Sequence, residues 1–105
     1  MSKFVKVAKI PEIPVNSGKC FKVEEVPVAV FNIDGTFYAI HNICSHAGGP
    51  LADGFLDGTT VMCPWHGWAF DVTTGNLGGM DKGGVASYPV KVEDDEIWVG
   101  VDAEL

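Results

Sequence analysis

Two short motifs constrain this chain more than any other feature of its sequence. Each brings one cysteine and one histidine close together: Cys44 and His46 form the first motif, and Cys63 and His66 form the second. Residues 47–62 separate the two motifs, and only Cys20 and His41 among the cysteines and histidines lie outside them. Because each motif supplies a thiolate and an imidazole, the two together can hold one metal centre from both sides.

Two kinds of metal centre fit this set of donors. The first is a structural zinc site, but zinc motifs usually pair like with like, as C-x(2–4)-C followed by H-x(3–5)-H. The second is a Rieske 2Fe–2S centre, in which two cysteines hold one iron and two histidines hold the other. One cysteine and one histidine in each motif favour the second centre, because both motifs must then reach both irons.

The pair C-x-H and C-x-x-H-G resembles the motifs of Rieske-type ferredoxins, the small electron carriers of multicomponent aromatic-ring oxygenases. The resemblance covers nearly the whole chain in length, strand pattern and motif order. It implies one Rieske 2Fe–2S cluster, with Cys44 and Cys63 on the inner iron and His46 and His66 on the outer iron near the surface. It also implies an all-β Rieske-type fold, in which an antiparallel β-sandwich base carries an inserted cluster-binding subdomain at approximately residues 42–69.

The residue pattern independently predicts an all-β chain of about eight to ten short strands without an amphipathic helix. Residues 3–9 and 19–24 alternate between apolar and polar, whereas residues 28–33 are almost continuously apolar, as in a strand buried on both faces. Asp34-Gly35 and Asp94-Asp95 separate pairs of such runs and predict hairpins. Residues 16–18 are expected to turn the chain, and residues 51–55 to extend outward.

Composition and charge exclude several classes of function. The 105 residues suit one domain, taken as residues 1–105, and a hydrophobic content of 47% argues against disorder. A net charge of -7 argues against binding nucleic acid and indicates partners with basic surfaces. No apolar run is long enough to span a membrane, and residues 1–6 show no signal-peptide pattern. Three cysteines indicate metal ligands and a cytoplasmic location rather than a disulfide framework.

The remaining residues indicate an electron carrier rather than an enzyme. Once a cluster takes two histidines, only His41 remains, too little for the mononuclear iron site of an oxygenase. There is no G-x-G-x-x-G fingerprint for a flavin or nicotinamide. We therefore expect a one-electron shuttle between a flavin reductase and a terminal oxygenase. Two alternatives stay open: the small subunit of an NADH-dependent nitrite reductase, which has a similar length and fold, and a zinc-stapled interaction module.

Residues around the motifs predict the reduction potential. High-potential Rieske proteins carry an extra cysteine in each motif, and Gly49 and Trp65 stand at those positions here. They also carry a serine and a tyrosine as hydroxyl donors, and Trp68 and Phe70 stand there instead. Loss of these donors destabilises the more negative reduced cluster, so we expect a potential towards the low end of roughly -150 to +300 mV.

Four further features receive simpler interpretations. Cys20 is expected to be an incidental thiol that points to solvent or to a strand edge, with nothing nearby to lower its pKa. His41 is expected to end a strand without binding the metal. Trp65 is predicted either to dock against a partner or to close the cluster pocket. Residues 77–84 form a glycine-rich loop in place of the proline-containing loop that usually covers a Rieske cluster.

Overall fold

Ten β-strands make up most of the chain that the structure describes. The structure is a computed structural model that describes residues 2–42, 50–63, 69–76 and 84–102. Within these ranges the only helical segments are the 3-10 turns Ile10–Glu12 and Leu51–Asp53. No helix in these ranges has the length and apolar character needed to cross a membrane. The all-β prediction is confirmed, and the strands are β1 (Ser2–Lys9), β2 (Ser17–Val23), β3 (Val26–Ile33), β4 (Thr36–His41), β5 (Phe55–Asp57), β6 (Thr60–Met62), β7 (Ala69–Asp71), β8 (Ser87–Tyr88), β9 (Val90–Glu93) and β10 (Glu96–Asp102).

The strands form three antiparallel sheets. The terminal sheet has the order β1-β10-β9 and joins residues from both ends of the described chain, with Ser2 opposite Asp102. The central sheet has the order β2-β3-β4-β8. The small sheet has the order β5-β6-β7 and follows the first motif in sequence. The terminal and central sheets together form the sandwich base that the sequence predicts.

The central sheet is buried on both faces. Val28 and Val30 of β3 face the terminal sheet and belong to the base core, whose other buried members are Ala8, Ile13, Val23, Phe37, Ala39, Ile97 and Val99. Ala29 and Phe31 belong to a second cluster, the cluster-side core, together with Ile40, Leu51, Val61, Cys63, Phe70 and Val72. Successive side chains of a strand point to opposite faces, so residues 28–31 of β3 are all apolar. This confirms the buried strand predicted from the continuous apolar run.

The predicted hairpins form at their expected positions. Asp34 and Gly35 both have positive φ, at 52° and 91°, and connect β3 to β4. Asp94 and Asp95 also have positive φ and connect β9 to β10. Such φ values give the turn a twist that matches the flanking strands. The Asn32 side chain strengthens the first turn, since its Oδ1 accepts the Gly35 N–H and its Nδ2 donates to the Ile13 carbonyl, both at 2.8 Å.

Two local predictions were wrong, and close packing explains both. Ser17 and Gly18 belong to strand β2 rather than to a turn. Gly18 lies opposite Phe31, and a Cβ at Gly18 would come within 2.5 Å of the Phe31 ring, so glycine here makes room for that ring. Residues 51–53 do not extend outward but form a 3-10 turn that buries Leu51 completely.

Candidate metal centre

Of the four predicted ligands, Cys63 lies within the described chain. It directly follows β6, as predicted, and its side chain is 2% exposed. Cys44, His46 and His66 fall in the stretches 43–49 and 64–68, outside the described residues. Trp65 and Trp68 fall in the same second stretch, so the predictions on them stay predictions.

Cys63 is part of the cluster-side core rather than of the surface. Its buried neighbours in that core include Leu51, Val61 and Phe70, each 0% exposed. An uncompensated thiolate is costly in such apolar surroundings, whereas a metal ion compensates its charge and keeps it deprotonated. A buried cysteine at the end of a strand therefore fits the role of a metal ligand, and with one further cysteine and two histidines the donor set fits a Rieske cluster.

The small sheet flanks the second motif, because β6 ends at Met62 and β7 begins at Ala69. Met62, directly before Cys63, pairs with Ala69 in the β6–β7 ladder, and Val61 pairs with Phe70. The described residues on the two sides of 64–68 are therefore neighbours in one ladder, which gives Cys63 a fixed support.

Asn42, the last described residue before the first motif, is 5% exposed. The Asn42 carbonyl accepts the Leu51 N–H at 2.6 Å, and its side-chain Oδ1 accepts the Ala52 N–H at 2.8 Å. The Asn42 N–H donates to the Pro27 carbonyl of β3 at 2.8 Å. Asn42 and Leu51 are therefore held together, and Asn42 ties both to the central sheet.

Cys20 and His41 occupy the positions that the sequence predicts for them. Cys20 is exposed on β2, which is an edge strand of the central sheet. Partial burial, and secondly the negative charge of Asp53, raise the pKa of the Cys20 thiol. This confirms that nothing lowers its pKa. His41 is half-buried and ends strand β4.

A family model decides between the two kinds of centre. Residues 3–89 match the model of the Rieske [2Fe-2S] domain. The chain belongs to the Rieske [2Fe-2S] domain family. This favours the 2Fe–2S cluster over the zinc site, and residues 3–89 include both motifs.

Several ferredoxins of dioxygenase systems are similar to this chain. The chain is 33% identical over 98 residues to the ferredoxin component of the naphthalene 1,2-dioxygenase system of Pseudomonas aeruginosa. The match spans 92% of this chain and 94% of that protein. It superimposes on the ferredoxin of carbazole 1,9a-dioxygenase from Nocardioides aromaticivorans with a TM-score of 0.87, at 32% identity, over 92% and 96% of the two chains. A ferredoxin in complex with the oxygenase of carbazole 1,9a-dioxygenase matches with a TM-score of 0.83 at 30% identity, over 91% of each chain.

These similarities identify a Rieske-type ferredoxin with one 2Fe–2S cluster, an electron carrier rather than an enzyme. The nitrite reductase alternative has weaker support. A protein of Mycobacterium tuberculosis described as an NADH-dependent nitrite reductase small subunit superimposes with a TM-score of 0.89 but is only 21% identical. That similarity shows a shared fold and no more.

Sequence reasoning missed three residues close to this centre. Phe55 is an apolar side chain that is 77% exposed on β5, and the pattern F-L-D at residues 55–57 could have shown that it shares a face with Asp57. Asn42 and Gly54 carried no periodic signal, because their roles depend on backbone contacts between segments distant in sequence.

Proposed function

We propose that this Rieske ferredoxin passes single electrons from a flavin-dependent ferredoxin reductase to the terminal Rieske oxygenase of an aromatic-ring dioxygenase system. The observation that carries the proposal is the likeness, over about nine-tenths of the chain, to ferredoxins named as components of dioxygenase systems. One such ferredoxin is in complex with its oxygenase. A net charge of -7 suits partners with basic docking surfaces.

In this proposal Cys44 and Cys63 bind one iron, and His46 and His66 bind the other. The bound cluster supplies a centre that accepts and releases one electron at a time. Burial of Cys63 supports the assignment of the cysteines to the inner iron, because the strand that carries it ends inside the cluster-side core. The described residues that flank the motifs are fixed by the β6–β7 ladder and by the hydrogen bonds of Asn42, which supports a centre that changes its charge with little rearrangement.

The residues around Cys63 support a reduction potential low in the Rieske range. Phe70 stands where high-potential members carry a tyrosine, and it is completely buried in the same core as Cys63. It has no hydroxyl group to donate a hydrogen bond to a cluster sulfur. Without such donors the extra negative charge of the reduced state is less stabilised.

The outer face of the small sheet offers an apolar surface beside the centre. Phe55, Met62 and Ala69 pair across the three strands, and we call them the outer apolar row. Phe55 is 77% exposed and Met62, directly before Cys63, is 39% exposed. The next row of pairs on this face contains Asp57 and Asp71.

We infer that the outer apolar row docks against the terminal oxygenase, on a surface with an apolar centre and a basic rim. Exposed aromatic and methionine side chains are enriched in protein interfaces, and the neighbouring carboxylates would select a partner of opposite charge. Electron transfer weakens steeply with distance, and a partner seated on Met62 lies against the residue that precedes a cluster ligand. The reductase is the other possible occupant of this face.

Reconstitution tests the proposed function. The purified ferredoxin, loaded with its cluster, is mixed with NADH and with the reductase and terminal oxygenase of a naphthalene dioxygenase system, and product formation is measured. We expect turnover that depends on the ferredoxin. Absence of electron transfer from the reductase and to the oxygenase, with the cluster intact, would contradict the proposal.

A variant of the outer apolar row tests the docking surface. We expect Phe55→Ser to raise the ferredoxin concentration needed for half-maximal oxygenase turnover roughly tenfold, the effect of losing an interface anchor of about 1.4 kcal/mol, and to leave the potential unchanged. Val15→Ser is the control, because Val15 is 56% exposed and lies at the other end of the central sheet, next to Asn16, which bonds Asn32. Weaker reduction by the reductase alone would assign the face to that partner instead.

The same proposal places the protein in the cytoplasm, as a single Rieske domain over residues 1–105 with its cluster-binding subdomain at approximately residues 42–69. An exposed thiol at Cys20 agrees with a reducing compartment. The small sheet, which begins at Phe55 and ends at Asp71, agrees with a separate packing unit on the base.

A further inference from the structure

Gly54 lies between Leu51, which follows the first motif, and Met62, which precedes Cys63 of the second motif. The Gly54 N–H donates to the carbonyl of Leu51 at 2.9 Å. A Cβ at position 54 would collide with the carbonyl of Met62, which precedes Cys63, and would come within 3.0 Å of the Leu51 carbonyl. The φ of Gly54 is -78°, a value open to any residue, so lack of space and not backbone conformation requires glycine.

Asn42 contacts Leu51 from the other side, and we call Asn42, Leu51, Gly54 and Met62 together the junction. Through its carbonyl and Oδ1 it binds the N–H groups of Leu51 and Ala52, and through its own N–H it binds Pro27 of the central sheet. Leu51 therefore contacts Asn42 through its N–H and Gly54 through its carbonyl. A continuous series of backbone contacts therefore links Asn42, which precedes the first motif, through Leu51 and Gly54 to Met62, which precedes Cys63.

We propose that Asn42 and Gly54 are positioning residues that set the separation between the two motifs and thereby the fit of the 2Fe–2S cluster. The inference rests on the proposed ligand set, in which each motif gives one ligand to each iron. A binuclear centre held in this way has a fixed size, so a change in the separation strains all four bonds at once. Both residues would act on the motifs through their contacts with Leu51 and Met62.

The test compares Asn42→Ala and Gly54→Ala with two matched controls. Asn32→Ala removes a buried asparagine that also joins two segments, but at the Asp34-Gly35 turn. Gly58→Ala adds a methyl group to the same small sheet at a turn with a φ of 61°, where nothing lies within 4 Å of the new Cβ. Both controls lower the stability of the fold without changing the junction.

The measurements are the rate at which a chelator removes iron and the electron paramagnetic resonance spectrum of the reduced cluster, both in protein that circular dichroism shows to be folded. We expect Asn42→Ala and Gly54→Ala to lose iron about 10–100-fold faster than wild type, with broadened or shifted g values. The controls keep wild-type spectra and rates. Equal iron loss and equal spectra in all four variants would overturn the inference.

Hydrogen exchange on the cluster-loaded wild type gives a second measurement that needs no variant. The amides of Leu51 and Ala52 should exchange as slowly as those of the central sheet, because both are bonded to Asn42. Exchange at the rate of exposed turns would contradict a fixed junction. A wild-type protein that binds no cluster would instead refute the proposed function, so the two failures are distinct.

Discussion

The two faces of the central sheet are covered in different ways. The terminal sheet covers one face with strands of 8 and 7 residues, β1 and β10, whose side chains fill the base core. The small sheet covers the other face with three strands of 3 residues each. Strands this short bury little apolar area, and the cluster-side core includes Cys63 among its members. The base thus depends on apolar burial, whereas the cluster side depends also on hydrogen bonds, one close backbone contact and, in our proposal, metal ligands.

Replacing a ligand is the largest perturbation of the cluster side. The chain offers a matched set, because one cysteine and one histidine lie outside the motifs. We expect Cys44→Ala, His46→Ala, Cys63→Ala and His66→Ala each to abolish the cluster, since the remaining three donors leave one iron with an incomplete shell. Cys20→Ala and His41→Ala should retain it. Iron and acid-labile sulfide per protein, and the visible spectrum, measure the result.

A cluster that survives loss of any one motif residue, or that is lost in Cys20→Ala or His41→Ala, would refute the proposed ligand set. The same variants also show whether the base keeps its fold when the cluster is lost. We expect the ligand variants to retain the far-ultraviolet circular dichroism of the base, because the base core lies on one face of the central sheet and Cys63 belongs to the core on the other face.

Truncation of one buried side chain in each of the two cores provides the next test. Leu51 of the cluster-side core and Ile97 of the base core are both 0% exposed. Truncation of either to alanine should cost about 2–5 kcal/mol of unfolding free energy, measured by denaturant titration. We expect only Leu51→Ala to accelerate iron loss under conditions where both variants are folded. Equal acceleration by Ile97→Ala would show that the two faces act as one unit.

A hydroxyl group beside Cys63 should change the potential with a smaller effect on stability. We expect Phe70→Tyr to raise the reduction potential by tens of millivolts, because a hydroxyl donor stabilises the reduced cluster and about 59 mV corresponds to a tenfold change for one electron. A redox titration followed by circular dichroism measures the shift. Val30→Thr places a hydroxyl in the base core and serves as the control, with no expected shift. A lower potential in Phe70→Tyr would contradict the account of the missing donor.

The smallest expected effect concerns the pKa of Cys20 in the central sheet, which the negative charge of Asp53 beside the small sheet helps to raise. The pKa of Cys20 is raised, mainly by partial burial, so its thiolate and its alkylation should appear only at higher pH than for a free cysteine. Asp53→Asn removes the lesser cause and should shift the alkylation profile slightly to lower pH. Iodoacetamide labelling against pH measures both profiles. A wild-type midpoint at or below that of free cysteine would contradict this.

The base could be predicted from the sequence, and the junction at the centre could not. Apolar alternation and the turn residues Asp34 and Gly35 encode strands and hairpins locally, so their predictions agree with the structure. The spacing of the motifs likewise identified the family. The role of Gly54, by contrast, depends on the approach of Leu51 and Met62, which only the folded chain brings together. The same holds for Asn42, a single polar residue after a strand with no pattern around it.

The pairing of β1 with β10 has a consequence for how the protein is made. Ser2 lies opposite Asp102, so β1 finds its partner only after all the strands between β1 and β10 have been translated. Both cysteine–histidine motifs emerge before that partner exists. The nascent chain therefore presents its thiols to the cell before the sandwich closes, and iron and sulfide delivery is best timed to follow completion of the C-terminal hairpin.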